Sequence, residues 1–318
     1  MKNILIIGAG AMGAAFSIPL LDNGHSVTLT EPYNFKLLQK LNSQKKIHPS
    51  LNINLPKKLK INIFSSDILN WKWDLIVIAV SSIGIDLIGK NLIKVKNKST
   101  ILVLTKGLKL DDGNLISMSS LLKKYNKNLN ISVLKGPCLA KELAKKVKSF
   151  TVVANKNINT AKKIGKLIST NYYQTEFSRD VNGVEFLSAI KNIYSMIIGA
   201  GQSLNAASNL FQKSIIEMKY LTKYFKGKDE TTSGLAGVGD LYVSAAGGRN
   251  SKMGSYLGKG FTFKTAKKRF MSYDTVEGEQ LAREIAPFIF KKIDKKKIPL
   301  MINLLKTIIG NKKLKIKV

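Results

Sequence analysis

"NILIIGAGAMGAAF", residues 3–16, decides how the first half of the chain is read. Four consecutive apolar residues, Ile4 to Ile7, run straight into glycine without alternating polar positions. Such a run fits a strand buried on both faces, as in a parallel sheet with crossover helices. Gly8, Gly10 and Gly13 then follow in the G-x-G-x-x-G spacing, at the start of a helical stretch, AMGAAFSIPLLDNG. In that context each glycine has a task. Gly8 permits the tight turn, Gly10 lets backbone approach a pyrophosphate, and Gly13 lets the helix pack on the strand. The helix N-terminus, at Ala11, Met12 and Gly13, then faces the phosphates with unpaired N–H groups. The spacing alone suits any glycine-rich turn; the strand before it and the helix after it favour a dinucleotide site.

Further strand candidates follow: 26–31, 60–65, 74–80, 99–105, 131–136 and 149–155, separated by helical or loop segments. From about residue 182 the β signal fades, and longer helical patterns take over around a glycine-rich stretch at 234–248. The expectation is an α/β chain: a doubly wound sheet over residues 1–181, then an all-helical substrate-binding domain over 182–318. Glu31 closes the second strand, 18 residues after Gly13. An acid there can accept hydrogen bonds from both ribose hydroxyls of NAD and would repel the 2′-phosphate of NADP. The competing reading is a solvated loop glutamate.

The net charge of +32 invites a nucleic-acid reading. Two features argue against it. The lysines are spread along the whole chain, and among 52 Lys and Arg only four are arginine: Arg179, Arg249, Arg269 and Arg283. The expected partner is a small molecule, not nucleic acid. One cysteine, Cys138, excludes an internal disulfide and a Cys-rich zinc site, and a reducing compartment fits. No run approaches the roughly 20 apolar residues of a spanning helix, so no stable membrane insertion is expected and the expected location is cytoplasmic. Three glycines interrupt the apolar N-terminus, which reads as folded structure and not as a signal peptide.

A dehydrogenase needs an acid–base group. The two histidines, His25 in DNGHSV and His48 in KKIHPS, lie away from strand ends and read as structural or exposed. A lysine is the remaining option, provided burial or a neighbouring cation lowers its pKa from about 10.4. In "FLSAIKNIYSMIIGAG" (186–201), Lys191 sits in apolar company. On a helical projection Phe186, Ile190, Ile193 and Ile197 form one stripe and Ser188, Asn192 and Ser195 the opposite side, with Lys191 at the border. Periodicity alone favours a lysine snorkelling from an amphipathic helix.

Other segments change the balance. "GLAGVGDLYVSAAGGRNSKMG" (234–254) holds Asp240 and, after a Gly-Gly turn, Arg249-Asn250. A planar guanidinium suits a phosphate bidentately, with Asn and glycine N–H groups beside it. Lys106 in TKGL follows the strand ILVLT, and GPCLAKEL (136–143) leads from another strand end into a helix. Strand C-termini of open α/β sheets border the ligand crevice.

In this order, GAGAMG, TKGL, GPCLAKE, AIKNIY, GLAGVGDL, GGRN and a late TVEG, the whole chain resembles the NAD(P)-dependent glycerol-3-phosphate dehydrogenase family. The resemblance implies a Rossmann-like N-terminal domain and a helical C-terminal domain. The implied activity is hydride transfer between NAD(P)(H) and C2 of sn-glycerol 3-phosphate or dihydroxyacetone phosphate, a phosphorylated triose, supplying phospholipid synthesis. By that resemblance Lys191 looks like the catalytic lysine and Lys106 like a second active-site lysine that contacts substrate near the nicotinamide. Asp240 and Ser244 match substrate-side positions that orient the lysine and the glycerol hydroxyls. Gly248, Arg249 and Asn250 match the phosphate turn, with Arg249 also reaching the cofactor. Gly136, Cys138 and Ala140 match a substrate and cofactor turn, and Thr275 with Glu277 a late cofactor contact.

Three departures stand out. Cys138 occupies a position where the family usually has a hydroxyl residue. AVSS (79–82) lacks the proline common after that strand, and GGRN is closer to the eukaryotic form of its turn than to the bacterial one. The coenzyme is NAD or NADP, with NAD favoured by Glu31; a homodimer is compatible with the resemblance. The alternatives are a related hydroxy acid or ketopantoate-type reductase, and a dinucleotide-binding sensor that has lost catalysis. Lys106, Lys191 and Asp240 together count against the sensor, which has no need of an acid–base group.

Overall fold

The computed structural model describes residues 1–43, 46–93 and 99–316. The strands in chain order are β1 (Asn3–Ile7), β2 (Ser26–Glu31), β3 (Ile47–His48), β4 (Ile53–Asn54), β5 (Lys60–Ile63), β6 (Leu75–Ile78), β7 (Thr100–Val103), β8 (Leu108–Asp111), β9 (Asn114–Ser117), β10 (Asn130–Lys135), β11 (Ser149–Ala154) and β12 (Tyr173–Ser178). The chain forms two compact units: Met1–Lys106 with Met118–Val181, and Gly107–Ser117 with Asn182–Val318.

The first unit is built on an eight-stranded sheet in the order β12-β11-β10-β7-β6-β1-β2-β5. Its pairs are parallel except β10–β11. Every strand expected from the apolar runs is present. The expectation missed β12, an edge strand with Gln174, Glu176 and Phe177 exposed, and the short hairpins β3–β4 and β8–β9. Ile4 of β1 pairs with Val27 of β2 on one side and Leu75 of β6 on the other. Ile4, Ile6, Leu29, Leu75 and Val77 on one face and Leu5, Ile7, Ile76 and Ile78 on the other are sealed from solvent, which is why these strands read as unbroken apolar runs. The chain leaves β1 toward β2 and later returns on the other side as β6, so the strand order reverses between β1 and β6. The crevice at such a reversal is where open α/β sheets take ligands. Helices α1 (Ala11–Asp22), α2 (Phe35–Leu41), α3 (Ile85–Leu92), α4 (Met118–Tyr125), α5 (Ala140–Ala144) and α6 (Ile158–Ile168) complete this unit. Among them α1 packs with α5 and α6, and α3 packs with α4, as a doubly wound sheet requires.

From Asn182 onward the second unit is helical: α7 (Val181–Gly199), α8 (Leu204–Tyr224), α9 (Asp229–Ser233), α10 (Asp240–Gly247), α11 (Arg249–Gly258), α12 (Phe263–Phe270), α13 (Glu277–Lys292) and α14 (Pro299–Gly310). It also takes in Gly107–Ser117, the β8–β9 hairpin, which lies inside the range 1–181 that the sequence assigned to the first domain. The unit is therefore helical, as expected, with one β hairpin added to it. Leu108 and Leu115 join the helical core, Leu110 N–H donates to Glu284 of α13 at 2.8 Å, and Ser117 Oγ donates to Glu185 of α7 at 2.6 Å.

Helix α7 departs from the amphipathic expectation, being buried almost all round. Its polar side is compatible with burial because the hydroxyls turn back on the helix. Ser188 Oγ donates to Glu185 O at 3.0 Å and Ser195 Oγ to Asn192 O at 3.1 Å.

Candidate active site

The glycine loop of the first unit is shaped by close backbone approach. Gly8 has φ +110° and donates its N–H to Thr30 O at 2.8 Å. A Cβ on Gly13 would lie 1.9 Å from Gly8 O, so any side chain there forces α1 off the strand end. Gly10 caps α1 with no side-chain hydrogen bond, and a Cβ on it would meet nothing within 4 Å. Ala11 and Met12 follow, partly exposed, in a first turn that carries no acid. An open, uncapped helix N-terminus at the strand-order reversal fits the diphosphate of a dinucleotide.

Glu31 is not a solvated loop residue. It is 6% exposed, and its carboxylate accepts from Ala9 N–H at 2.8 Å through Oε2, and from Tyr33 and Asn34 N–H at 3.0 and 3.2 Å through Oε1. The acid expected to face ribose hydroxyls thus also fastens the glycine loop to the start of α2.

Lys106 lies just beyond the end of β7, after Leu104 and Thr105, and is half-buried. Thr105 before it is held by side chain and backbone: its Oγ1 donates to Val80 O at 2.7 Å, and Lys135 Nζ donates to Thr105 O at 2.5 Å and to Val103 O at 3.2 Å. Gly136 begins the turn after β10, Cys138 is half-buried and in no disulfide, and Ala140 opens α5, which packs on α1.

The second unit assembles the remaining residues. Lys191 is 6% exposed, and its ammonium donates to Asp240 Oδ1 and, at 2.7 Å, to Ser244 Oγ. It is not a snorkelling lysine. Asp240, 2% exposed, opens α10 immediately after a single π-helical turn, Leu235–Gly239, a distortion that recurs at functional sites. Asp240 and Ser244 stand four residues apart on one helix face, so a single ammonium meets both. The buried carboxylate and ammonium offset one another's loss of hydration.

Helix α11 reaches this cluster through glycine. A Cβ on Gly254 would lie 1.9 Å from Met196 O of α7, and one on Gly199 would lie 2.1 Å from Ser251 O. The two helices cross backbone against backbone. Gly248 N–H donates to Ser244 O at 3.1 Å, tying the GGRN turn to the residue that holds Lys191. Asn250 is buried and accepts Gly278 N–H on Oδ1 at 2.9 Å, while a Cβ on Gly278 would lie 3.0 Å from Asn192 O. The AIKN, GGRN and TVEG segments are therefore in contact. Arg249 Nη2 donates to Glu277 Oε1 in an ion pair whose side chains are 51% and 45% exposed. Thr275 lies exposed just before α13.

Residues 3–161 match the family model described as NAD-dependent glycerol-3-phosphate dehydrogenase N-terminus, and residues 180–318 match the one described as its C-terminus. The chain belongs to the NAD-dependent glycerol-3-phosphate dehydrogenase family. To the family member named NADP(+)-dependent glycerol-3-phosphate dehydrogenase of Archaeoglobus fulgidus it is 28% identical over 303 residues, 88% of each chain. To the NAD(P)+ glycerol-3-phosphate dehydrogenase of Francisella tularensis subsp. holarctica it is 30% identical over 304 residues, covering 91% of this chain and 88% of that one. The crystal structure of glycerol-3-phosphate dehydrogenase from Coxiella burnetii shares the fold, with a TM-score of 0.86 and 24% identity, covering 98% of this chain and 96% of that one.

Several buried polar groups lie outside the family's motifs. Lys135 interrupts an apolar strand run, and Glu217 sits in the apolar helix SIIEMKYL. Both carry the signal that singled out Lys191: a charge in apolar company. His48 carries none, since KKIHPS is polar, yet its side chain is buried. His25 contacts Leu167 O at 3.1 Å beyond the C-terminus of α1, and burial lowers its pKa. Among the described residues there is no cluster of three His, Cys, Asp or Glu suited to a metal, and no helix long and apolar enough to cross a membrane.

Proposed function

We propose that the chain interconverts sn-glycerol 3-phosphate and dihydroxyacetone phosphate, with NAD or NADP as the hydride carrier. The observation that carries this reading is the buried Lys191 ammonium held by Asp240 and Ser244. When bound, the nicotinamide donates or accepts the hydride exchanged at C2. During reduction Lys191 gives a proton to the C2 oxygen, and during oxidation its neutral amine takes that proton back. Asp240 and Ser244 aim Nζ, and the Asp240 carboxylate favours return to the charged ammonium. Arg249, with Asn250 and the Gly248 turn, binds the phosphate away from the reacting carbon, supplying binding energy and position. Lys106 contacts the substrate as a second cation. Gly136 and Cys138 line the substrate turn, where a thiol is a weaker donor than a hydroxyl. Ala140, Thr275 and Glu277 contact the coenzyme.

Of the two coenzymes, NAD is preferred in this reading, because the Glu31 carboxylate at the end of β2 would meet the 2′-phosphate of NADP with like charge. The test is coenzyme oxidation with dihydroxyacetone phosphate, run separately with NADH and NADPH. Turnover is expected with at least one, and with NADH more efficiently. No turnover with either sinks the proposed activity; equal or better use of NADPH sinks only the preference.

A further inference from the structure

Ala9, between Gly8 and Gly10, is sealed from solvent, and both of its backbone groups are taken by side chains distant in sequence. Its N–H donates to Glu31 Oε2 at 2.8 Å, and its carbonyl lies 3.0 Å from His48 Nε2. The His48 ring has a defined tautomer. Ala9 O can only accept, so its contact places the ring proton on Nε2, and Leu51 N–H, which donates to His48 O at 3.2 Å, also meets Nδ1 at 3.3 Å. His48 is 1% exposed and belongs to the β3–β4 hairpin, outside the main sheet. That hairpin is closed by Asn52 N–H donating to His48 O at 2.8 Å, and Leu51 and Leu55 anchor it in the core of the first unit.

A trans peptide is planar, so the Ala9 carbonyl and the Gly10 N–H point in opposite directions across one rigid plate. Whatever holds the carbonyl aims the N–H. On the side where a Cβ on Gly10 would stand nothing lies within 4 Å to brace this plate, and the Ala14 N–H that donates to Gly10 O at 3.0 Å holds only the next one. Glycine also gives that plate unusual freedom to rotate. We propose that His48 is a positioning residue for the dinucleotide loop: by gripping Ala9 O it locks the Ala9–Gly10 peptide with the Gly10 N–H turned outward for the coenzyme diphosphate. Glu31 grips the preceding peptide from the other side. Locking the loop before binding removes an ordering cost that the coenzyme would otherwise meet. The inference rests on the dinucleotide reading of the first unit.

Two variants separate aiming from mere folding. In His48→Asn, the amide oxygen can still accept Leu51 N–H, but the side chain is too short to reach Ala9 O. In His48→Gln, an amide N–H reaches the place of Nε2. NADH affinity is measured directly by the fluorescence of bound coenzyme, with melting temperature alongside. His48→Asn is expected to bind NADH about threefold to tenfold more weakly, the range one hydrogen bond commands, with Gln within about twofold of wild type. In turnover the loss appears in the coenzyme KM and not in kcat. If His48→Asn does not fold, His48→Leu, which keeps the apolar packing, takes its place with the same expectation. A folded Asn or Leu variant that binds NADH as tightly as wild type overturns the proposal, as does a folded Gln variant as weak as Asn. Failure of the wild type to bind either NADH or NADPH overturns the dinucleotide reading itself, and the role of His48 with it.

Discussion

Two ion pairs in the helical unit put charge to opposite uses. Lys191 and Asp240 are both withdrawn from water, whereas Arg249 and Glu277 stay about half exposed. Removing one partner of a buried pair strands the other without hydration, at a cost of about 3 to 5 kcal/mol. An exposed pair is worth at most about 1 kcal/mol, because water and salt compete for both ends. The first pair is therefore a fixed fixture and the second an exchangeable one. A group that must present one proton at one point suits the first. A guanidinium that must release its partner and accept a dianionic phosphate suits the second.

The largest effect expected from this contrast is at Lys191. Lys191→Ala should lower kcat/KM for dihydroxyacetone phosphate by about a thousandfold, the middle of the range for losing a general acid–base group. Directly measured NADH affinity should stay near wild type. The same change leaves the Asp240 carboxylate buried without its cation, so chemical denaturation should show a loss of about 3 kcal/mol. Substantial turnover in a folded Lys191→Ala would end the acid–base assignment and reduce the buried pair to scaffolding.

Glu217 sharpens the contrast from a different side. It is buried as deeply as Asp240, at 3% exposure on α8, but the donors that meet it are neutral. Tyr194 Oη donates at 3.0 Å, and Leu300 and Met301 N–H at 2.6 and 3.1 Å, where α14 begins. Burial pushes its carboxyl up to about 7 from 4.5, against the pull of those three hydrogen bonds. A folded state that holds a proton more tightly than the unfolded chain is favoured at low pH. Its contribution is complete below about 4.5 and is lost as pH rises through about 7. The stability of wild type relative to Glu217→Gln should thus fall by about 2 to 3 kcal/mol between pH 5 and pH 8. Taking the difference between the two proteins cancels every other titration. A difference that does not change with pH would mean that the carboxyl titrates normally and that burial alone does not set Glu217 apart from Asp240.

Legibility in the sequence followed contiguity. The glycine loop and its flanking strand and helix lie within 20 residues, and each glycine's task is local, so spacing sufficed. Lys191 stood out because 3.6-residue periodicity exposes a charge among apolar neighbours. Its partners did not stand out in the same way. Asp240 is 49 residues away and Glu277 is 28 residues from Arg249, and local periodicity carries no information on which distant residues meet. Asp240 and Arg249 were marked by their glycine-rich segment and Glu277 by resemblance, but the pairing came from the fold. The β8–β9 hairpin, which clusters with the helical unit, carries no local mark of that for the same reason: its apolar side chains look alike whichever core receives them. His48 was passed over because its task is set by a backbone carbonyl, which no sequence pattern marks.

The smallest effects concern the exposed pair, and they test exchange most directly. Arg249→Ala should weaken dihydroxyacetone phosphate binding by about tenfold to a hundredfold, as expected for losing charge-assisted hydrogen bonds to a phosphate. Because Arg249 is exposed, the substrate KM of the wild type should rise with ionic strength and that of Arg249→Ala should rise much less. Glu277→Gln removes the competitor while leaving a hydrogen-bonding side chain of the same length. If Glu277 only occupies the guanidinium until phosphate arrives, its loss should lower the substrate KM by about twofold, within what an exposed pair can be worth. A tenfold rise would mean instead that Glu277 holds Arg249 in its working direction. The pair would then be as fixed as Lys191 and Asp240, and exposure would have been the wrong guide to which charges exchange. Steady-state KM for dihydroxyacetone phosphate at two salt concentrations, in wild type and both variants, separates these outcomes. A change confined to the coenzyme KM would place Glu277 on the cofactor, where its motif in the sequence put it.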